Sequence, residues 1–161
     1  MTASDWTVYP FATQNRKDYH NLMDVYLDAV FFTRLDELDF LQEGHRVEFS
    51  EADNPGSELE YKGVVFNEMK GAMSSAVSTL WQTLTKHLFP TTTYHYNSGG
   101  DPEVIPELSY QELKTFYKTH YHPSNAVFMT YGNIPAADHQ TRMQEPPLSR
   151  SEQLDVHIDR G

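Results

Sequence analysis

Apolar residues recur three and four positions apart in several stretches of the chain, which is the spacing of one helical face. The helices predicted from this spacing cover residues 16–32, 36–44, 61–71, 74–89, 109–120 and 136–144. Asn15 is the predicted N-cap of the first, and Ser109 and Glu112 have the spacing of a capping box before the fifth. The predicted buried faces are Leu22, Val25, Tyr26, Ala29 and Val30; Leu38 and Leu41; Val77, Leu80, Trp81 and Leu84; Leu113, Phe116 and Tyr117.

Between the helices lie short runs of aromatic and β-branched residues, which are typical of strands. The predicted strands or extended segments cover residues 6–13, 46–49, 91–96, 126–131 and 154–158. The polar run from Ser50 to Glu60, with Asn-Pro-Gly near its centre, is predicted to be a loop. Because strands and helices alternate along the chain, the pattern predicts an α+β fold in two layers.

One carboxylate in the third predicted helix shares a face with apolar residues. Glu68 lies three or four positions from Val64, Val65 and Ala72. A carboxylate on a buried face is costly unless a cation, hydrogen-bond donors or a metal ion pairs with it. A helical Glu that simply faces solvent is the alternative, and periodicity does not decide between the two.

The composition limits the classes of protein that this chain can represent. It has 161 residues, of which 39% are hydrophobic, no Cys, and a formal net charge of −11. The absence of Cys excludes disulfides and thiolate chemistry, and the acidic charge argues against nucleic acid while permitting basic peptides or metal cations. No run is long enough for a membrane span and no signal peptide is present, so we expect a soluble protein. Because strand-like sequence begins at Trp6, we expect a piece of a longer chain.

Catalytic motifs are sparse. The spacings H-E-x-x-H and H-x-x-E-H indicate a metal site because they place two imidazoles beside a carboxylate on one helical face. Neither spacing occurs in this chain. His120 and His122 fall at a helix end before a proline, which disfavours a ligand pair. Ser74 and Ser75 are better explained as a helix cap than as nucleophiles, and the Gly99-Gly100 pair as a turn than as an anion cradle.

Several blocks of sequence, taken in order, form a specific pattern: Tyr9-Pro10-Phe11-Ala12-Thr13-Gln14-Asn15; residues 21–32; Gln42-Glu43-Gly44-His45-Arg46; residues 61–71; residues 96–102; and residues 120–126. These blocks resemble the presequence-protease branch of the pitrilysin family of inverted-motif zinc peptidases. The resemblance covers residues 2–133.

The resemblance implies a two-layer α/β roll of the pitrilysin and mitochondrial processing peptidase type, incomplete in this chain. Residues 1–161 would be part of its first peptidase domain, with residues 134–161 as a C-terminal extension of that domain. In the family, two His and a distal Glu hold Zn²⁺, and the distal Glu corresponds to Glu68. In proteins of this family, the substrate peptide binds as an added strand along the edge of a sheet. Thr2, Ala3, Ser4 and Asp5 resemble the C-terminal part of that edge strand.

The chain departs from the family pattern because it lacks the H-x-x-E-H helix. We therefore expect no catalytic residue within it, no tight zinc binding and no activity by the isolated chain. The parent would be a zinc endopeptidase that degrades unfolded peptides such as cleaved presequences. Its expected partners are basic peptides and the remaining domains of the same polypeptide, not nucleic acid or membrane, and the isolated chain is expected to self-associate. The compartment would be a bacterial cytoplasm or an organelle matrix. The alternative is a non-catalytic scaffold or chamber-closing domain.

Overall fold

Helices and one antiparallel strand pair form the secondary structure of the described part of the chain, which is residues 1–144 and residue 149 of the computed structural model. The α-helices are α1 Arg16–Phe31, α2 Glu37–Asp39, α3 Val64–Ala72, α4 Ala76–Leu88, α5 Tyr110–His120 and α6 Ala136–Gln144, and the strands are β1 Arg46–Phe49 and β2 Leu59–Lys62. A π-helical turn covers Phe40–Gly44, and 3₁₀ turns cover Thr93–His95, Ile105–Glu107 and Pro123–Asn125. This mixture of helices with one small antiparallel sheet is compatible with the predicted α+β class.

The described residues form two compact units. The first comprises Met1–Val8 and Leu35–Glu112, and the second comprises Tyr9–Arg34 together with residues 113–144. Within the described residues, no helix has the length and apolar character needed to cross a membrane.

The strand pair of the first unit is held by charged side chains as well as by its backbone. β1 and β2 pair antiparallel with Arg46 opposite Lys62. Lys62 Nζ contacts a carboxylate oxygen of Glu48 at 2.9 Å and one of Glu60 at 2.8 Å, and Arg46 Nε contacts Glu48 at 2.7 Å. These hydrogen bonds, first the one from Lys62 and then the one from Arg46, lower the pKa of the Glu48 carboxyl. Only the Lys62–Glu48 ion pair joins the two strands, and it does so diagonally, whereas the directly opposed pairs Arg46–Lys62 and Glu48–Glu60 carry like charges.

The second unit is built on α1. The Asn15 side chain accepts hydrogen bonds from the backbone N–H groups of Lys17 and Asp18, so the predicted N-cap is confirmed. Arg142 of α6 donates from Nε to the Asp24 carboxylate at 3.1 Å. His139 of α6 is buried.

Three predicted strands are wrong in the described structure. Residues 6–13 contribute only an isolated bridge from Thr7 to Thr2, residues 91–96 contain a 3₁₀ turn, and residues 126–131 form no strand. A strand needs a neighbour to accept its backbone hydrogen bonds, and the sequence pattern does not report whether one is present. Strand β2 falls partly in the predicted loop 50–60 and was missed. The predicted strand 154–158 lies outside the described residues.

Several predicted buried faces are also wrong. In α1 the buried residues are Met23 and Leu27, whereas Val25 is 54% exposed. Leu38 is 78% exposed, and Leu41, Leu113 and Phe116 are exposed as well. The apolar face of α4 is open: Val77 75%, Leu80 67%, Trp81 66% and Leu84 41% exposed. Helical spacing shows which side chains share a face, but it does not show what covers that face.

Candidate metal centre

Helix α3 begins at a glycine that lets two backbone segments meet. A Cβ on Gly63 would lie 2.1 Å from the carbonyl oxygen of Gly44 and 2.8 Å from Cα of His45. The Gly63 carbonyl accepts the hydrogen bond of the Asn67 N–H at 3.0 Å, which starts the helix. Gly63 is buried and leads directly from β2 into α3. The start of the helix is therefore fixed against the end of the π-helical turn.

The buried side of α3 is not the face that carries Glu68, so of the two alternatives left open by the sequence the solvent-facing one is observed. Phe66 and Met69 are 8% and 9% exposed and form a small cluster with Ile105. Val64 and Val65 are 51% and 37% exposed. Glu68 does share a helical face with these valines, but that face is exposed among the described residues.

Glu68 is exposed and lies on the wall of a groove. The groove has a volume of about 600 Å³ and is lined by α3, α4 and the loop at residues 97–99. Its apolar walls include Met69 and Trp81. Within the described residues, no hydrogen bond or ion pair engages the Glu68 carboxylate. An exposed carboxylate beside apolar walls is available to a ligand that enters the groove.

Side-chain hydrogen bonds hold the loop that forms the far wall of the groove. The Asn97 side chain accepts a hydrogen bond from the Gly99 N–H at 3.2 Å. The Asp101 side chain accepts one from the Glu103 N–H at 3.0 Å and a second from Lys86 of α4, also at 3.0 Å. These two hydrogen bonds, the backbone one foremost, lower the pKa of the Asp101 carboxyl. The Lys86–Asp101 contact therefore joins the end of the loop to α4, and the Asn97 side chain closes a turn at its start.

The described residues alone do not make a zinc site. No group of three or more His, Asp or Glu side chains lies close enough to hold a metal ion within this part of the chain. A tetrahedral zinc site with a catalytic water needs three protein ligands. Glu68, exposed and without a partner among the described residues, fits one such ligand, and the other two would have to come from elsewhere.

Of the four residues resembling a substrate edge strand, Thr2 and Ala3 lie in one arm of a hairpin-like turn, and Ser4 and Asp5 form its bend. The Ala3 N–H donates to the Trp6 carbonyl at 2.9 Å, and the Met1 and Val8 backbones exchange hydrogen bonds. Thr2, between these pairs, forms a bridge with Thr7. In an antiparallel pair, the backbone groups of such a residue point away from the partner arm. The arm therefore presents a backbone edge at Thr2.

The side chains of Ser4 and Asp5 tie this turn to the first unit. Ser4 Oγ donates to the Tyr96 carbonyl at 3.1 Å, and the Tyr94 hydroxyl donates to the Asp5 carboxylate at 3.2 Å. The bend at Ser4 and Asp5 therefore contacts residues 94–96, the segment that precedes Asn97. Among the described residues, no hydrogen bond or ion pair joins residues 2–5 to Glu68.

The sequence interpretation missed the 97–101 loop as part of this region. Asn97 and Asp101 are residue types that accept hydrogen bonds from the backbone two positions ahead, and the glycines between them permit close approach. That pattern is a usable signal for a fixed loop. What it does not reveal is which helix the loop packs against.

The sequence of the chain is similar to those of known proteins. Residues 107–145 match the family model described as "Peptidase M16 inactive domain". The chain is 53% identical over 155 residues to the mitochondrial presequence protease of Xenopus tropicalis, and it is equally similar to that of Mus musculus. It is 49% identical over 154 residues to the mitochondrial presequence protease of Schizosaccharomyces pombe. These alignments cover 94–96% of this chain but only 15–16% of those proteins.

Proposed function

Because the chain belongs to the pitrilysin family of M16 peptidases and is related to its presequence proteases, we propose that it is part of a zinc endopeptidase that degrades unfolded peptides. The observation that carries this proposal is the Glu68 carboxylate, which is exposed, unpaired among the described residues and set on the wall of a groove. Zinc, when bound, would activate water and polarise the peptide carbonyl. Within this chain, the proposed role of Glu68 is that of one metal ligand.

The remaining metal ligands would come from further polypeptide. The chain spans about 15% of the length of the presequence proteases that it matches, and it has no H-x-x-E-H. The exposed apolar side chains of α4 support further packing partners, since contiguous apolar surface of this kind marks an interaction site. In the proposal, other domains of the same polypeptide cover that helix as part of an α/β roll.

The proposed substrates are extended basic peptides. The backbone edge at Thr2 supports strand addition at the start of the Thr2–Asp5 segment, in which main-chain hydrogen bonds bind the peptide; extending it through Ser4 and Asp5 requires the bend there to open. The net charge of −11 supports a preference for basic peptides, because a negative field raises their local concentration. The relatives carry the description mitochondrial, so an organelle matrix is the proposed compartment.

A chimaera tests the proposal. This chain would replace the aligned 155-residue segment of the Xenopus tropicalis presequence protease. We expect the chimaera to cleave a basic presequence peptide and to favour it over an acidic peptide of the same length. A chimaera that folds and binds zinc as the relative does, yet does not cleave either peptide, would contradict the proposal.

A second candidate is a non-catalytic domain of the same fold, and the "inactive domain" match over residues 107–145 favours it. On this alternative, the adjoining coding sequence would lack H-x-x-E-H and the parent protein would hold no zinc. Finding the motif in frame upstream of this chain, with one zinc ion per purified parent, would remove this alternative.

A further inference from the structure

Residues 126–131 form an extended segment whose backbone is unpaired in the described part of the chain. Ala126 has extended backbone, with φ −113° and ψ 150°, and the chain makes no turn or bend from there to Tyr131. Gly132, with a φ of 141°, turns the chain where the segment ends. Among the described residues, no backbone N–H or carbonyl of residues 127–131 makes a hydrogen bond. The segment therefore has the backbone of a strand, with both of its edges unpaired within this part of the chain.

The side chains of this segment alternate as they do in a strand. Phe128 packs its ring against Phe31 of α1, with 6.0 Å between the ring centroids. Val127, Met129 and Tyr131 are 96%, 90% and 99% exposed. Alternate positions of a strand point to opposite faces, and β-branched and aromatic residues favour strands. One face of the segment thus lies on α1, and the other face is apolar and open.

The segment lacks the features that keep exposed strands from pairing. Natural sheets protect their free edges with charged side chains or with proline in the strand. From Pro123 to Ala137 the chain contains no Asp, Glu, Lys or Arg, although its net charge is −11. Residues 126–131 contain no proline either. The sequence of the segment therefore suits a paired strand better than an edge in contact with water.

The length of the relatives and the charge of the chain indicate what pairs with this segment. The chain spans 15% of the length of the Xenopus tropicalis presequence protease, so most of such a protein lies outside it. A net charge of −11 opposes the association of two copies of this chain. Two copies related by a two-fold axis would also pair one edge of each strand and leave the other edge open. Further polypeptide of the parent is therefore a better occupant than a second copy.

We propose that residues 126–131 are a sheet strand in the parent protein, paired with an extended apolar strand of the parent polypeptide that lies outside this chain. Main-chain hydrogen bonds make the pair, and apolar side chains of the partner flank Val127, Met129 and Tyr131. Because the existence of a parent belongs to the proposed function, the inference rests on that proposal. It adds a second surface, distinct from α4, through which the chain joins the rest of the protein.

Amide hydrogen exchange of the isolated chain and of the chimaera tests the pairing. In the isolated chain we expect the amides of residues 127–131 to exchange as in an unstructured peptide, because none is hydrogen-bonded to another described residue. In the chimaera we expect every second amide of the segment, or all of them, to exchange about a hundredfold more slowly. The helical amides of α5, Tyr110–His120, are the internal reference. Rapid exchange of residues 127–131 in a chimaera whose α5 is protected would overturn the inference.

Proline substitutions test the two edges separately. Consecutive N–H groups of a strand point to opposite edges, so Met129→Pro and Thr130→Pro each remove a donor from one edge. In the isolated chain we expect neither substitution to change urea unfolding, because these N–H groups bond to no described residue. In the chimaera we expect one or both to speed exchange of the remaining amides of the segment about tenfold or more. Asn133→Pro is the matched control, because its N–H is also unbonded among the described residues and it lies beyond the turn at Gly132.

The outcomes separate the inference from the proposed function. Equal acceleration by Asn133→Pro and by both strand substitutions would overturn the inference. Protection of residues 127–131 in the isolated chain that appears only at high concentration, together with a dimer in sedimentation, would make a second copy the occupant and would also overturn it. Cleavage of the presequence peptide by a chimaera with an unprotected segment refutes the inference alone. A protected segment in a chimaera that binds zinc but cleaves no peptide refutes the proposed function alone.

Discussion

Replacing Gly63 by alanine is the sharpest test of how α3 is set in place. The added Cβ would meet only backbone atoms: the Gly44 carbonyl oxygen at 2.1 Å, the Gly44 carbonyl carbon at 2.7 Å and His45 Cα at 2.8 Å. Unlike the end of a flexible side chain, these atoms cannot rotate away. Relief requires the end of the π-helical turn and the start of α3 to separate by close to 1 Å.

The expected cost of Gly63→Ala is about 2–3 kcal/mol of unfolding free energy. Overpacking typically costs about 1–3 kcal/mol, and a backbone clash belongs at the upper end. Gly63 has a φ of 160°, which is extended backbone open to alanine, so the lower entropy of the unfolded chain would offset about 0.4–1 kcal/mol of that cost.

Urea unfolding followed by far-ultraviolet circular dichroism measures this cost at an unchanged m-value. Gly71→Ala is the matched control: it lies in α3 with open space around its Cβ, and we expect it to stabilise the chain by about 0.5–1 kcal/mol. If Gly63→Ala proved as stable as the original chain, the close approach of these segments would be refuted.

Two further predictions concern local hydrogen bonds. Ser109→Ala removes the hydroxyl that accepts from the Glu112 N–H and donates to the Glu112 carboxylate. We therefore expect the free energy of unfolding to fall by about 1 kcal/mol and amide hydrogen exchange to be faster in the first turn of α5. Unchanged exchange in that turn would contradict the capping box. The pKa of Asp101 is lowered by the Glu103 N–H and by Lys86, so its stabilising contribution is full above the pKa of the unfolded chain and is lost as pH falls through the lower folded value. Asp101→Asn should therefore be less stable than the original chain at pH 6, and the difference should shrink as pH falls below about 4 toward the lower folded pKa. A difference of the same size at pH 6 and at pH 2 would contradict this assignment.

Local features of the fold were predictable because they depend on neighbours in sequence. Asn15 and Ser109 cap helices through residues two or three positions away, and strand β1 alternates over four residues. Strand β2 is not predicted because Leu59 and Glu60 end the polar run read as a loop, and Tyr61 and Lys62 begin the stretch read as a helix; its pairing with β1 is a contact outside both patterns.

Features that depend on distant contacts were not predictable. Helical spacing in α4 identifies an apolar face, yet Leu80 and Trp81 are 67% and 66% exposed, because spacing carries no information about a covering partner. At the candidate site, periodicity singled out Glu68 but left open whether it is buried or faces solvent, and the structure shows that it is exposed. The close approach of Gly99 to the side chain of Met69, thirty residues earlier, is likewise a contact that no local pattern records.

The most direct test of the central claim is the zinc content of the purified chimaera with and without Glu68→Gln. Glu60→Gln is the matched control, because it is the same substitution at an exposed carboxylate that binds Lys62 rather than lining the groove. We expect about one zinc ion per chimaera and per Glu60→Gln variant, and a severe loss in Glu68→Gln at the same chelator concentration. Full zinc occupancy in Glu68→Gln would contradict this expectation and remove Glu68 from the ligand set.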